Sequence, residues 1–379
     1  MSRPIVLPMH SGTVTRQAHA DLPVGTYERE VGREGFSGPA THLYHRNPPT
    51  AWISWEGPHR PRAFDLNPGP AQDCPLAAAP VAHNAHMRLR VWKPQAALPH
   101  LVRNADGDDL LFVHRGGGHF YCDYGHIELR AGDYLLVPRG TMWRLEPVAA
   151  TFILLLEATG TSFRLPDRGL LGEHALFDAG VLEVPRIDDA FLAQQSAVPT
   201  EVRIKARQTV SRATFAYNPL DAVGWKGTLA PVRLNWRDIR PISSARYHLP
   251  PSAHSTFVTD RMAVCTFCPR PAETDPGALK VPFFHSNDDC DELLFLHEGQ
   301  FFSRDGMGPG MMTFHPAGFP HGPHPAAYRA SMAAPRTHIE EVAINIDTRD
   351  PIEIEPAMQA CERQGHVDSW RGFTEGTPA

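Results

Sequence analysis

A nine-residue segment that occurs twice constrains the fold of this chain more than any other feature. Residues 108–116 read DDLLFVHRG and residues 291–299 read DELLFLHEG, at an offset of 183 residues. Downstream of each copy, an apolar run leads into a Pro-x-Gly turn, Pro138/Gly140 in the first copy and Pro316/Gly318 in the second, at an offset of 178. Two matches in the same order indicate that one supersecondary unit is present twice.

Both copies have the sequence pattern of short strands joined by tight turns. LLFVH and LLFLH are apolar runs rich in Leu, Phe and Val, and turns containing Gly and Asp follow them at short intervals. Helical periodicity is weak, and the 37 prolines argue against long helices. The sequence therefore predicts an all-β chain with two barrels of the double-stranded, jelly-roll type.

The repeat also suggests a division of the chain. We expect an N-terminal β domain over residues 1–225, with the first barrel at about 96–165. A second barrel is predicted over residues 226–347, and residues 348–379 read as a polar tail.

Composition excludes several classes of partner. The net charge of −6 provides no basic footprint for nucleic acid, and no apolar run is long enough for a transmembrane helix. We therefore expect no nucleic-acid or membrane partner and a cytoplasmic location. The six cysteines are scattered, so the single C-x-x-C of Cys265 and Cys268 is interpreted as two core thiols.

The second copy carries residue types that bind metal ions. FFHSNDDCDELLFLHEG is followed by FHPAGFPHGPHP, and His285, Glu292 and His321 occur at the spacing of a cupin barrel site. Two histidines and one carboxylate on one face bind Fe(II) and leave coordination positions open. Asp291 is the alternative carboxylate, because only one of two neighbouring strand residues faces the interior.

The first copy serves as an internal control. At the positions of His285, Glu292 and His321 it has Val102, Asp109 and Trp143. We therefore expect the first barrel to be degenerate and the second barrel alone to bind a metal.

The C-terminal half resembles homogentisate 1,2-dioxygenase. The resemblance lies in Phe284-His285-Ser286-Asn287, in Glu292 and in Phe314-His315-x5-His321-Gly322-Pro323, and Trp225-Lys226-Gly227 resembles the Trp-His-Gly turn of that family. It covers about residues 215–347, whereas the N-terminal half resembles the family only in general β character and in fragments such as HLYHRNPPTAWISWEGP.

The resemblance implies a mononuclear Fe(II) dioxygenase that cleaves the ring of a 1,4-dihydroxylated aromatic acid with O2, as in aromatic amino-acid catabolism. It implies His285, Glu292 and His321 as iron ligands and a trimer-based homo-oligomer (a trimer or a dimer of trimers). His315, Asn287 and Lys226 are the candidate catalytic residues. We interpret Lys226, which replaces the family histidine, as a group buried near the iron that either handles a proton or pairs with negative charge on the substrate.

Other departures from the family pattern leave the substrate open. Ser286 replaces an arginine, and Phe283 and Phe301 replace tyrosines. The alternatives are a cupin oxygenase for another aromatic substrate such as gentisate, a metal-dependent isomerase or epimerase on the same scaffold, and a non-catalytic metal- or ligand-binding cupin.

Overall fold

A computed structural model describes residues 7–69, 74–78, 80–301, 303–304, 306–333 and 336–373 of the protein. The end of the predicted tail, residues 374–379, lies outside the described residues. The described residues form mainly strands, which confirms the all-β prediction. No helix among them is long and apolar enough to cross a membrane.

The N-terminal part of the described chain contains twelve strands. In chain order they are β1 Tyr27–Gly32, β2 Ala40–His45, β3 Arg62–Asp65, β4 Pro80–His83, β5 Met87–Trp92, β6 Leu101–Asn104, β7 Gly107–Arg115, β8 Gly117–Cys122, β9 Gly125–Arg130, β10 Asp133–Val137, β11 Met142–Pro147 and β12 Phe152–Thr159. The connections from β2 to β3 and from β3 to β4 are longer than the others.

The remaining strands are β13 Thr200–Ala206, β14 Thr209–Phe215, β15 Val232–Asn235, β16 Ser255–Val258, β17 Met262–Phe267, β18 Arg270–Pro271, β19 Phe284–Asn287, β20 Asp291–Glu298, β21 Met311–His315, β22 His338–Ile339, β23 Val342–Thr348 and β24 Glu353–Ile354. The α-helices are α1 Asp189–Ala193 and α2 Pro325–Ala333, and the 3-10 turns are Gly169–Leu171, Ala179–Val181, Trp236–Asp238, Pro251–His254, Pro356–Cys361 and His366–Phe373.

The first barrel consists of a seven-stranded sheet, in the order β15-β10-β7-β12-β5-β4-β24, and a six-stranded sheet, in the order β14-β13-β6-β11-β8-β9. Its interior is filled by apolar side chains. The Trp143 ring lies 5.2 Å from the Phe120 ring and 5.9 Å from the Trp92 ring. Because large rings occupy the place where the second copy has His321, this interior is a packed core.

The second barrel is built on a six-stranded sheet, β16-β17-β23-β20-β21-β3, and on the three-stranded sheet β19-β1-β2. Strand β1 runs parallel to β19, with Glu30 opposite His285. The N-terminal segment thus supplies three strands, β1, β2 and β3, to the barrel that carries the candidate metal ligands.

Strand pairing crosses each of the predicted domain boundaries. Strand β15 follows residue 225 but belongs to the first barrel, and β24 lies in the predicted tail but pairs with β4. In the same tail, Trp370 is completely buried. The division at residues 225 and 347 stays a prediction, and strands from each side of it pair with strands from the other side.

Backbone register confirms that the two copies are equivalent. Val102 pairs with Trp143 in the first barrel, and His285 pairs with His321 in the second. Asp109 lies opposite Val137, and Glu292 lies opposite His315. The offsets of 183 and 178 seen in the sequence therefore mark the same strand positions in each barrel.

Candidate metal centre

The second barrel brings His285, Glu292 and His321 together in its interior. One ligand atom from each of them lies within 4.8 Å of the others, and all three residues are buried. Strands β19 and β20 supply the first two, and His321 follows the Pro-x-Gly turn after β21. His285 and His321 hold each other by two backbone hydrogen bonds of 2.9 and 3.0 Å.

Backbone carbonyls orient the imidazole rings of His285 and His321. Nδ1 of His285 donates to the carbonyl of Phe283 at 3.0 Å, and Nδ1 of His321 donates to the carbonyl of Phe319 at 3.2 Å. Both Nε2 atoms are buried without a hydrogen-bond partner among the described residues. This arrangement, with one ring nitrogen held and the other available, is typical of metal-binding histidines.

The protonation states also fit a cation site. Burial, and next the neighbouring His321, lower the pKa of His285 to about 3, so its ring is neutral. Burial raises the pKa of Glu292, but the hydrogen bond from His315 and the proximity of His321 outweigh it and hold that pKa well below its usual value. A neutral imidazole and an ionised carboxylate are the forms in which these side chains bind a metal.

Asp291, the alternative carboxylate, points to the other face of β20. Its Oδ1 accepts a hydrogen bond from the backbone N–H of Ala317 at 2.7 Å, and its Oδ2 accepts one from Ile352 at 2.7 Å. Both oxygens are engaged in holding loops, so Glu292 is the carboxylate that faces the two histidines.

His315 lies directly against this group. Its Nδ1 donates to Oε1 of Glu292 at 2.7 Å, and its ring stacks on that of His321 at 4.3 Å and an interplanar angle of 9°. Its Nε2 is buried without a partner among the described residues. His315 therefore fixes the carboxylate and presents a second, unused ring nitrogen.

Asn287 and Lys226 differ in their placement. Asn287 ends β19, is buried, and has neither amide atom hydrogen-bonded within the described residues. Lys226 is exposed in the loop before β15, where its neighbour Trp225 packs on Tyr124 of the first barrel at 5.7 Å. The expected burial of Lys226 near the metal is wrong for the single chain, because its loop packs on the other barrel.

A cavity opens beside His285 and Glu292. Phe283 and Phe301 contribute apolar walls. Arg304 is a buried cation in the lining, and Arg270 is also in the lining, where it pairs with Glu341 at 3.1 Å. Arg304, Arg270 and Glu341 were not predicted from the sequence, and no spacing signal distinguishes them from surface charges.

His248 also lines the cavity and was not predicted. Its Nδ1 lies 2.8 Å from Oε1 of Glu273. Burial raises the pKa of Glu273, but this hydrogen bond outweighs it and lowers the pKa below its usual value, so the carboxylate accepts the Nδ1 proton. The pairing leaves Nε2 of His248 as the basic nitrogen.

Comparison with known proteins identifies the family. The model of the N-terminal part of homogentisate 1,2-dioxygenase matches residues 75–236. A Saccharolobus solfataricus protein named as a dioxygenase is 31% identical over 366 residues, which cover 90% of this chain and 92% of that protein. Homogentisate 1,2-dioxygenase of Bradyrhizobium diazoefficiens is 24% identical over 284 residues, 71% of this chain.

This chain belongs to the homogentisate 1,2-dioxygenase family. The family match lies over the first barrel, so the expectation that similarity is confined to residues 215–347 is wrong. The aligned part spans 62% of the length of the Bradyrhizobium enzyme.

Solved structures are less similar to this chain than these relatives are. Protein YlbA from E. coli covers 79% of this chain and 95% of its own length, with 10% identity and a TM-score of 0.35. A cupin-2 domain protein from Shewanella frigidimarina covers 22% of this chain and 79% of its own, with 18% identity and a TM-score of 0.20.

Proposed function

We propose that this protein is an Fe(II)-dependent ring-cleaving dioxygenase that acts on homogentisate or a closely related 1,4-dihydroxylated aromatic acid. One observation carries the proposal: His285, Glu292 and His321 converge with two unpartnered Nε2 atoms beside a cavity that contains a buried arginine. Family membership supports the oxygenase class, and the cavity supports an anionic aromatic substrate.

His285, Glu292 and His321 would hold the iron. The ion, when bound, supplies open coordination positions for a phenolic oxygen and for O2. His315 keeps the Glu292 carboxylate in place through its 2.7 Å hydrogen bond. Its free Nε2 and the unpartnered amide of Asn287 are the groups available to contact substrate or O2.

The cavity lining fits an aromatic acid. Phe283 and Phe301 offer apolar faces for the substrate ring. Burial lowers the pKa of Arg304 to about 10, which leaves the guanidinium charged at neutral pH. No salt bridge joins Arg304 to a carboxylate among the described residues. A buried cation of this kind gains most from a substrate carboxylate, so Arg304 is the proposed anchor for that group.

His248 is the proposed acceptor of the substrate hydroxyl proton, in place of Lys226. It lines the cavity, and Glu273 holds its Nδ1 so that Nε2 can accept a proton. Since the phenolic group must lose its proton to bind a cation well, an imidazole in the lining is placed to accept that proton.

Oxygen uptake by the iron-loaded protein tests the function. The protein is purified without oxygen, loaded with Fe(II), and assayed with homogentisate, gentisate and a hydroquinone that lacks the carboxylate. We expect uptake of O2 with homogentisate or a near relative. His285→Ala and His321→Ala should each abolish both iron retention and uptake, whereas the surface variant His338→Ala should retain both.

The other outcomes select the alternatives. Uptake with gentisate alone indicates a different aromatic substrate, and substrate conversion without O2 indicates an isomerase or epimerase. Ligand binding without turnover indicates a binding cupin. Iron retention and uptake that survive His285→Ala and His321→Ala would refute the ligand assignment.

We also propose a homo-oligomer, a trimer or a dimer of trimers, as the family resemblance implies. Strand β14 is the edge of its sheet and is exposed along most of its length. The following loop exposes Val223 at 96% and Leu229 at 67%. Val223→Asp with Leu229→Asp should reduce the mass measured by light scattering, whereas an unchanged mass would exclude this surface from the interface.

A further inference from the structure

A second group of metal-binding side chains lies on the N-terminal strands. His19, Glu30 and His42 offer ligand atoms that all lie within 4.8 Å of one another. We propose that they form a second site for a divalent transition-metal ion, separate from His285, Glu292 and His321, which fixes the N-terminal strands beside the cavity.

Strand register brings two of the three residues face to face. Strands β1 and β2 are antiparallel, and Glu30 lies directly opposite His42. Oε2 of Glu30 is 2.9 Å from Nε2 of His42 and 3.2 Å from Nε2 of His19. Two donors bound to one ion at about 2.1 Å lie roughly 3.0–3.4 Å apart, close to these separations.

Glu28 holds His19 in the orientation that a metal ligand needs. Its Oε2 accepts the Nδ1 proton of His19 at 2.8 Å, and the backbone N–H of His19 donates to both carboxylate oxygens. Tyr44, directly opposite Glu28, donates its hydroxyl to Oε1 at 3.1 Å. Metal-bound histidines are commonly oriented by such a carboxylate, and Nε2 is left facing Glu30.

The charges of the group favour a divalent cation. Glu28 and Glu30 are both buried, His19 is buried between them, and His42 keeps 23% of its side chain exposed. Without a metal, one imidazolium faces two carboxylates: burial lowers the pKa of His19, but the hydrogen bonds that it donates to Glu28 and Glu30 raise that pKa to about 9. A divalent ion balances both carboxylates and displaces the Nε2 proton.

The site is linked to the candidate catalytic strand. Glu30 lies opposite His285 in the parallel pairing of β1 and β19. The His19 ring stacks on Phe283 at 4.2 Å, and Phe283 lines the cavity. An ion at the second site would therefore hold β1 and β2 against the wall of the cavity.

Zinc binding to the full-length chain tests the proposal. His285→Ala/His321→Ala removes the first group, so the result does not depend on the proposed function. We expect this background to bind one zinc ion per chain, measured by metal analysis and titration calorimetry after chelator treatment. Zinc K-edge absorption should show histidine nitrogens.

Two changes to the second group and one control complete the test. In that background, His42→Ala and Glu30→Gln should each lower zinc affinity by at least tenfold, and His45→Ala on the same strand should not. If the background fails to fold, His42→Ala in the otherwise unchanged chain should lose one of two bound zinc ions. A background without zinc, or equal binding by His42→Ala, would show that the group is an ion-pair network only.

Discussion

Arg304 illustrates how much one buried side chain determines about the cavity. It is 7% exposed, and its guanidinium carbon lies 5.6 Å from the Phe301 ring and 5.8 Å from the Trp370 ring. One of its nitrogens donates to the carbonyl of Gly322, next to His321. The charge is therefore held by packing and by a backbone group, which leaves other N–H donors for a bound anion.

Replacement of Arg304 should weaken binding of a carboxylate-bearing substrate. A charge-assisted hydrogen bond contributes about 1.5–3 kcal/mol, so Arg304→Met should raise KM for homogentisate roughly 10- to 100-fold. KM for a hydroquinone without the carboxylate should change little, and Arg304→Lys should recover part of the difference. Steady-state oxygen uptake measures these values. An equal loss for both substrates would assign Arg304 to packing instead.

For single residues, the sequence predicts the three candidate metal ligands better than it predicts the residues that line the cavity beside them. His285, Glu292 and His321 follow from their residue types and from the contrast with Val102, Asp109 and Trp143. The cavity residues Arg304 and His248 could not be predicted in this way, because burial of a charge or an imidazole depends on packing between distant segments. Lys226 shows the converse, since its likeness to a family position does not place its side chain at the metal group.

Among the elements, strands β7 and β20 each carry near their start an aspartate that has the same function in each barrel. Asp108 accepts hydrogen bonds from the backbone N–H groups of Arg139 and Phe163, at 2.8 and 3.0 Å. Asp291 accepts two at 2.7 Å from the turn after β21 and from the segment before β24. The repeated letters DD and DE thus encode one structural aspartate followed by one residue that faces the interior.

Removal of either aspartate should destabilise its barrel. Asp108→Ala and Asp291→Ala each leave two backbone donors without their acceptor, which costs about 1–3 kcal/mol per unsatisfied group. Urea unfolding should show these losses, with little change for Asp167→Ala, whose hydrogen bond to Gly169 is exposed to water. Only Asp291→Ala should also weaken iron binding, because its turn precedes His321. Equal iron affinity in all three variants would contradict that link.

Element types and pairing partners were predictable to different extents. The apolar runs and turns of the repeat predict β7, β10, β20 and β21, and the pairs β7–β10 and β20–β21 each join strands less than about 30 residues apart. The pairing of β3 with β21 and of β1 with β19 joins segments more than 200 residues apart. Local patterns carry no information about such contacts, so the pairing of N-terminal strands with strands of the second barrel appears only in the structure.

In the whole molecule, the repeat relates the two barrels across a shared core. His114 and His297, the histidines of the two nine-residue segments, meet with their Nδ1 atoms 2.9 Å apart. The Phe112 ring lies 4.8 Å from the His297 ring, and the Phe295 ring lies 5.0 Å from the His114 ring. These reciprocal contacts are those of an approximate two-fold axis between the barrels.

This histidine pair should make the association of the barrels sensitive to acid. Burial, followed by nearby cations, lowers the pKa of His114 to about 4, and burial, followed by His114, lowers that of His297 to about 3. Since the folded pKa values lie below that of an unfolded histidine, about 6.5, the stabilisation is complete above pH 6.5 and is lost as pH falls towards 4.

The free energy of unfolding falls with acid because these histidines bind protons in the unfolded chain but not in the folded one. Its slope is up to about 1.4 kcal/mol per pH unit for each histidine between pH 6.5 and 4. His114→Asn removes one such group, so its free energy of unfolding should fall less steeply with acid than that of the unchanged chain. Urea titrations at several pH values measure both slopes, with exposed His174→Asn as the control. Parallel slopes for His114→Asn and the unchanged chain would show that His114 takes up a proton in the folded state, and that the contact between the barrels tolerates a charge.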